Sequence, residues 1–302
     1  MKFDYYYNLL SDESFSIFLF HGVIENRSES IRNYNNKHIL DIDFYRLLEG
    51  LCDIGVPVSM NQVIDFCNGK KIPKKSFAIT FDDGFENNLK TAEPILRYFN
   101  IPATIYVATE FINKNLMSWI DRIEFAFEQI SSFDLNLPWQ NFKNVNSFSL
   151  KKKILDEIRD IVKKDKKINQ SELADDIQKQ LGLQLTYSNN SELDKKLDWG
   201  ELKKLSNDTN FIIGGHTHNH SIMSYLNNEA LEYEISQSLK CIETNLSIKT
   251  THYSYPEGLE YCYNENVIRK LKEYGILCAP SAEYGTNKIN ADPFKLKRIN
   301  VV

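Results

Sequence analysis

No stretch of the 302 residues approaches the ~18 uninterrupted apolar residues of a membrane span, so none is expected. The amino-terminal residues, Met1 to Phe15, carry acidic groups early and lack the apolar run of about 7–15 residues that a secretory signal needs, which makes the cytoplasm the expected location. The five cysteines, Cys52, Cys67, Cys241, Cys262 and Cys278, are odd in number and never form Cys-x-x-Cys, which argues against a disulfide framework and against a cysteine zinc site. A basic excess is missing too: 36 Lys and Arg face 41 Asp and Glu, a formal net charge of −5, so no basic field draws in nucleic acid. The one lysine cluster, Lys163, Lys164, Lys166 and Lys167, lies beside Asp160 and Asp165 in a polar helical stretch and reads as a solvated face. No Gly-x-Gly-x-x-Gly or Walker-type phosphate loop occurs, which sets aside nicotinamide enzymes and P-loop ATPases. With only 12 Gly and 8 Pro beside 42% hydrophobic residues, the chain has the makings of a sizeable core rather than of disorder.

What is present is a recurring strand and helix pattern. Ser16 to Phe20 is a continuous apolar, β-branched and aromatic run that reads as a strand buried on both faces and ends at His21-Gly22. A helix is expected over Phe44 to Leu51, a strand over Ser76 to Phe81, a helix over Asn88 to Phe99 and a strand over Ala103 to Ala108. From about 113 to 197 the pattern changes to charged and aliphatic residues at helical spacing, read as a mostly helical insertion within a single domain spanning 1–302. The alternation resumes with a helix after Trp199, a strand at Phe211 to Gly214, a long helix from Asn228 to Leu246, a strand near Thr251 to Tyr255, a helix over Asn264 to Tyr274 and a short strand at Ile276 to Cys278. Repeated βα units of this kind, split once, predict an α/β fold of the barrel type rather than a sandwich.

Two clusters carry chemistry. Phe81-Asp82-Asp83-Gly84 places adjacent carboxylates where an apolar strand ends, and a buried ionised pair needs a cation or a shared proton. If one carboxylate binds a divalent ion, its neighbour is left within reach of a water as general base; the plainer reading is an acidic turn, since Asp-Gly is a common turn pair. In Gly214-Gly215-His216-Thr217-His218-Asn219-His220, three of the six histidines fall within five residues. His216 and His220, four apart, would share one side of a helical turn and suit a common metal, while His218 would diverge. One Asp and two His leave positions open for water and substrate, as a catalytic metal site requires.

Together these motifs resemble the polysaccharide deacetylase family of carbohydrate esterases. The resemblance rests on Thr80-Phe81-Asp82-Asp83-Gly84 and the His-Thr-x-x-His of His216 to His220, with Ile101 to Thr109 and Asp198 to Asn207 as flanking matches, and it extends over about 15–112 and 198–300. It implies an irregular (β/α) barrel of about seven strands, a metal triad of Asp83, His216 and His220, and Asp82 as catalytic base. The cofactor implied is one divalent ion; oxygen and nitrogen ligation fits Zn²⁺, and also Co²⁺, Ni²⁺ or Fe²⁺. The family's third motif, an arginine or an aromatic stretch before Pro-Tyr-Gly, corresponds to Tyr253-Ser254-Tyr255-Pro256-Glu257-Gly258, in which Glu257 replaces the tyrosine and no arginine is present; a backbone N–H at Glu257 would still serve an oxyanion, and Glu257 reads equally as an exposed turn residue. No histidine follows His252 to act as the usual proton donor. Phe20-His21-Gly22-Val23 resembles the amino-terminal motif of the exopolysaccharide deacetylase branch, which makes His21 the candidate general acid. Trp119-Ile120-Asp121 is similar to a tryptophan–x–aspartate of bacterial sugar deacetylases, with Trp119 and Asp121 as candidate substrate contacts and Trp119 equally a core residue.

The function expected is hydrolysis of an N-acyl group, acetyl or formyl, from an amino sugar in a glycan, lipid-linked or nucleotide-linked precursor of surface polysaccharide. The alternatives are a glycan-binding barrel that has lost its chemistry and an amidohydrolase acting on a non-sugar amide.

Overall fold

The computed structural model describes residues 3–27 and 30–302 of the chain. Its centre is a sheet whose strands β1 (Ser14–Phe20), β2 (Ser76–Phe81), β3 (Ala103–Val107) and β4 (Phe211–Gly215) are hydrogen-bonded in that order, all parallel. Every residue of β2 and β3 is buried, as the unbroken apolar runs foretold for strands covered on both faces. The ring continues past β4 through single bridges, Gly215 to Tyr253 and His252 to Cys278, and then through backbone bonds from Ala279 to Pro293, Ser281 to Leu296 and Arg298 to Glu283. Strand β5 (Ile299–Asn300) returns it, parallel, to β1. This is the irregular barrel expected. The strands predicted near 251–255 and 276–278 are reduced to isolated bridges because Pro256 and Pro280, which have no N–H, cut each ladder short.

The helix predicted over 88–99 divides into a π-type turn, Asn88–Ala92, and an α-helix, Glu93–Tyr98. Pro94 is the cause: its ring and missing N–H cannot continue a regular ladder toward Lys90. Segment 113–197 contains helices α1 (Trp119–Gln129), α2 (Phe148–Lys164) and α3 (Gln170–Gln180), with Ser118 and Ser147 capping the first two. It also holds an antiparallel hairpin, Phe133–Asn136 with Asn141–Val145, which the helical reading lacked because each strand alternates for only a few residues. Apolar faces of these elements, including Trp119, Ile123, Phe127, Leu135, Ile154 and Ile158, form a hydrophobic cluster separate from the one between sheet and flanking helices. Helix α4 (Asn228–Leu246) follows β4. Among the described residues no helix is long and apolar enough to cross a membrane.

Candidate active site

His21 follows β1, Asp82 and Asp83 follow β2, and His216 follows β4, so the carboxyl ends of three parallel strands deliver these side chains to one mouth. His21, Asp82, Asp83, Trp119, His216, His220 and Glu257 line a cavity of about 230 Å³ there. Asp121 lies one ion pair back, its carboxylate oxygens 3.1 and 3.2 Å from Lys37 Nζ.

Asp83 and the two histidines form a compact donor set. Asp83 Oδ1 stands 3.6 Å from His216 Nε2 and 3.2 Å from His220 Nε2, and one ligand atom from each residue falls within 4.8 Å of the others. That oxygen is buried with no hydrogen-bond partner among the described residues, whereas Oδ2 is taken by Lys37 Nζ at 3.3 Å. Ser254 engages His216 Nδ1 through its carbonyl oxygen at 3.0 Å and its hydroxyl at 2.6 Å, which leaves Nε2 facing Asp83. A buried carboxylate oxygen without a donor, facing two imidazole nitrogens, fits a divalent cation of borderline softness.

The reason given for the His216 and His220 spacing does not hold. Residues 216–220 are a loop, not a helical turn, and Thr217 and His220 adopt left-handed φ values of 62° and 60°. These two bends bring the ring centroids to 4.9 Å. Glu234 on α4 pins the loop: its carboxylate accepts from the N–H groups of His218 and Asn219, each at 2.8 Å, from Asn219 Nδ2 at 2.8 Å and from Ser221 Oγ at 3.2 Å. His218 turns away, with Nδ1 2.8 Å from Thr109 Oγ1. On the facing loop Asp83 has φ 72° and Gly84 71°, and a Cβ on Gly84 would lie 2.9 Å from Ile112 Cδ1.

Asp82 is held by a residue that sequence reasoning missed. Arg298 Nη1 and Nη2 donate to its two oxygens, each at 2.8 Å, while Nε donates to the Ser281 carbonyl at 2.6 Å. Arg298 stands immediately before β5, at the bridge to Tyr284. Its sequence signal is weak, one of two adjacent charges with Lys297; in the segment Leu296 to Val301, Leu296, Arg298, Ile299 and Val301 are buried while Lys297 and Asn300 are exposed. Lys37, Ser254 and Glu234 were missed as well. One expectation is reversed: Lys163 is not on a solvated face but lines the cavity, paired with Glu257. Its cluster was read by composition, whereas helical geometry turns Arg159 and Lys163, one turn apart, to the same inward side.

The electrostatics follow from burial and these pairs. Burial opposes ionisation of Asp83, but Lys37 and His220 outweigh it and hold the carboxyl well below its usual range. Asp82 is likewise lowered, burial being overcome by Arg298 and then His216. Burial lowers His216, and it pushes His21 down to about 4 against the opposing pull of Asp83 and Asp82. His220 is raised because Asp83 more than offsets its burial. Glu257, at φ 61°, is brought down to about 2, burial being outweighed by Lys163 and then His220.

Fold and site define an α/β barrel that gathers a carboxylate and two imidazoles, with a second carboxylate alongside, at the carboxyl ends of its strands. The family model for polysaccharide deacetylases matches residues 69–279, and the chain belongs to that family, whose members act on acetylated sugars. Solved structures of similar fold include the Streptococcus pyogenes deacetylase PplD in complex with acetate, at 15% identity over 96% of this chain and 92% of that one, with a TM-score of 0.62. IcaB from Ammonifex degensii gives 15% identity over 97% and 94% with a TM-score of 0.60. A de-N-acetylase from Aggregatibacter actinomycetemcomitans gives 16% over 95% and 94% with a TM-score of 0.59. No curated protein sequence matches the chain.

Proposed function

We propose that this protein is a metal-dependent hydrolase of the exopolysaccharide deacetylase branch that removes an acetyl or formyl group from the nitrogen of an amino sugar. The observation that carries this reading is the unpartnered Asp83 Oδ1 facing His216 and His220, with Asp82 clamped beside it. Asp83, His216 and His220 would hold the ion. When bound, a divalent ion supplies Lewis acidity, polarising the acyl carbonyl and making water a better nucleophile near neutral pH.

The chain's own groups do the rest. Asp82, kept ionised by Arg298, takes the proton of the attacking water. The backbone N–H of Glu257, at the cavity wall, is the donor to the developing oxyanion. His21 enters neutral because of its burial; the adjacent Asp83 and Asp82 charges raise its affinity for the proton that Asp82 has taken from the water, which it receives and passes to the leaving nitrogen as the carbon–nitrogen bond breaks. The acetate bound to the Streptococcus pyogenes relative is the product that such a reaction on an N-acetyl group releases.

The test is incubation of metal-loaded protein with N-acetylated monosaccharides, nucleotide sugars and oligosaccharides, scored for free acetate or formate. Chelation is expected to abolish release and re-addition of Zn²⁺ or Co²⁺ to restore it, while Asp83→Asn fails to retain metal on dialysis. Silence across the panel with metal bound overturns the proposal in favour of a glycan-binding barrel.

A further inference from the structure

The charges that face the cavity balance, with one exception. Its lining carries Asp82, Asp83 and Glu257 against Lys37, Arg159 and Lys163. Asp82 is answered by Arg298, Lys37 is shared between Asp83 and Asp121, and Lys163 is answered by Glu257. Arg159 remains. Among the described residues its one hydrogen bond runs from Nη1 to Glu124 Oε1 at 3.5 Å, the outer limit of such a contact, although a guanidinium offers five donors. Its side chain is only 20% exposed and lines the cavity.

Resting on the deacetylase reading, we infer that Arg159, with Lys163 one turn further along α2, forms a subsite for an anionic group, a carboxylate or a phosphate, carried by the substrate near its N-acyl group. A planar fork with unused donors in a half-buried pocket is suited to bidentate contact with either anion. Glu124 is a weak competitor for it. Burial and the neighbouring Asp121 push that carboxyl up to about 7, and its other oxygen already accepts from the Asn33 N–H at 3.2 Å. Lys163 adds positive potential from the same face of the helix, and Trp119 lines the same cavity. Segment 113–197, which supplies Arg159, Lys163 and Trp119, thereby sets which acylated sugars the barrel accepts.

The experiment compares three probes on the metal-loaded full chain: N-acetylglucosamine, N-acetylmuramic acid, which adds a carboxylate, and N-acetylglucosamine 1-phosphate. kcat/KM is read for each, and binding is titrated calorimetrically on metal-free protein so that contact with the ion does not contribute. At least one anionic probe is expected to exceed the neutral one by about tenfold or more, the scale of hydrogen bonds to charged partners. Which one leads distinguishes carboxylate from phosphate. Arg159→Gln is expected to bring that advantage within about twofold, mainly through KM, and Arg159→Lys to keep part of it. No advantage in wild type, or one that survives Arg159→Gln, overturns the inference. If Arg159→Gln does not fold, wild type decides: the advantage must shrink from about 0.01 M to about 1 M salt, and indifference to salt overturns it. Charge-selective binding without turnover of any probe would remove the deacetylase reading and leave the subsite standing; turnover without charge preference does the reverse.

Discussion

Replacing Arg298 with leucine isolates the interaction on which the assignment of Asp82 depends. The guanidinium is fully buried, the Asp82 side chain is 6% exposed, and the two 2.8 Å bonds join them in parallel. Removing one member of such a pair strands the other charge in a low-dielectric site and costs about 3–5 kcal/mol. Unfolding entropy of about 2.1 cal/mol/K per residue over 302 residues makes each kcal/mol worth ~1.6 °C, so Arg298→Leu should melt roughly 5–8 °C lower. Most of that loss comes from the stranded carboxylate rather than from missing contacts. Asp82→Asn introduced into Arg298→Leu should therefore recover about half of it or more, although Asp82→Asn alone destabilises. The assay is calorimetric melting of the four proteins, metal-stripped, at neutral pH. An Arg298→Leu protein within about 1 kcal/mol of wild type, or a double variant no more stable than the single one, would refute the reasoning.

Three further outcomes follow from the site. His21→Ala should lower deacetylation about 10²–10⁴-fold without changing metal content, and a rate near wild type removes His21 from the chemistry. Glu234→Gln, which weakens the carboxylate that collects three donors from the His216–His220 loop and one from Ser221, should weaken metal affinity about 10–100-fold in a competition titration; unaltered affinity would make Glu234 a scaffold residue only. Glu124 has its carboxyl raised from 4.5 to about 7, so the folded chain binds a proton that the unfolded chain has released, and wild-type stability falls as pH rises through that window. Glu124→Gln avoids this loss: urea denaturation should find it more stable than wild type above pH 7 and the two converging near pH 4, whereas a variant less stable at pH 8 would contradict the sign.

Strands β1 to β4 were legible because their runs are largely apolar on both faces, and three of them, β1, β2 and β4, lead straight into His or Asp, a local pattern that no tertiary contact has to complete. The motif residues were legible for the same reason, each lying next to a strand end. Arg298 was not, since its partner Asp82 lies 216 positions away and, next to Lys297, it reads as one of two ordinary surface charges. Lys37 reaches Asp83 and Asp121 only once two elements have packed. The geometry of His216 and His220 was inferred from a period of 3.6, while left-handed backbone at Thr217 and His220 does the work. Lys163 was averaged into a charged run, although a helix sorts such a run by face and one lysine in four can point inward.

Among the described residues, Asp83, Thr217, His220 and Glu257 are four of the twelve non-glycine residues with left-handed backbone, and all four lie on the loops around the cavity. Six of the remaining eight are asparagine, which tolerates that conformation. Thr217 does not: its branched Cβ is crowded there, and its buried hydroxyl has no partner among the described residues. Such strain costs on the order of 1–3 kcal/mol per residue, so the fold would gain stability from glycine at Thr217, whereas at Asp83 and Glu257 that gain is opposed by the buried pairs with Lys37 and Lys163. Drift in a lineage released from selection on catalysis therefore runs downhill first at Thr217, between the two histidines. Persistence of a side chain there among descendants is a record of continued use, legible without knowledge of what the protein acts upon.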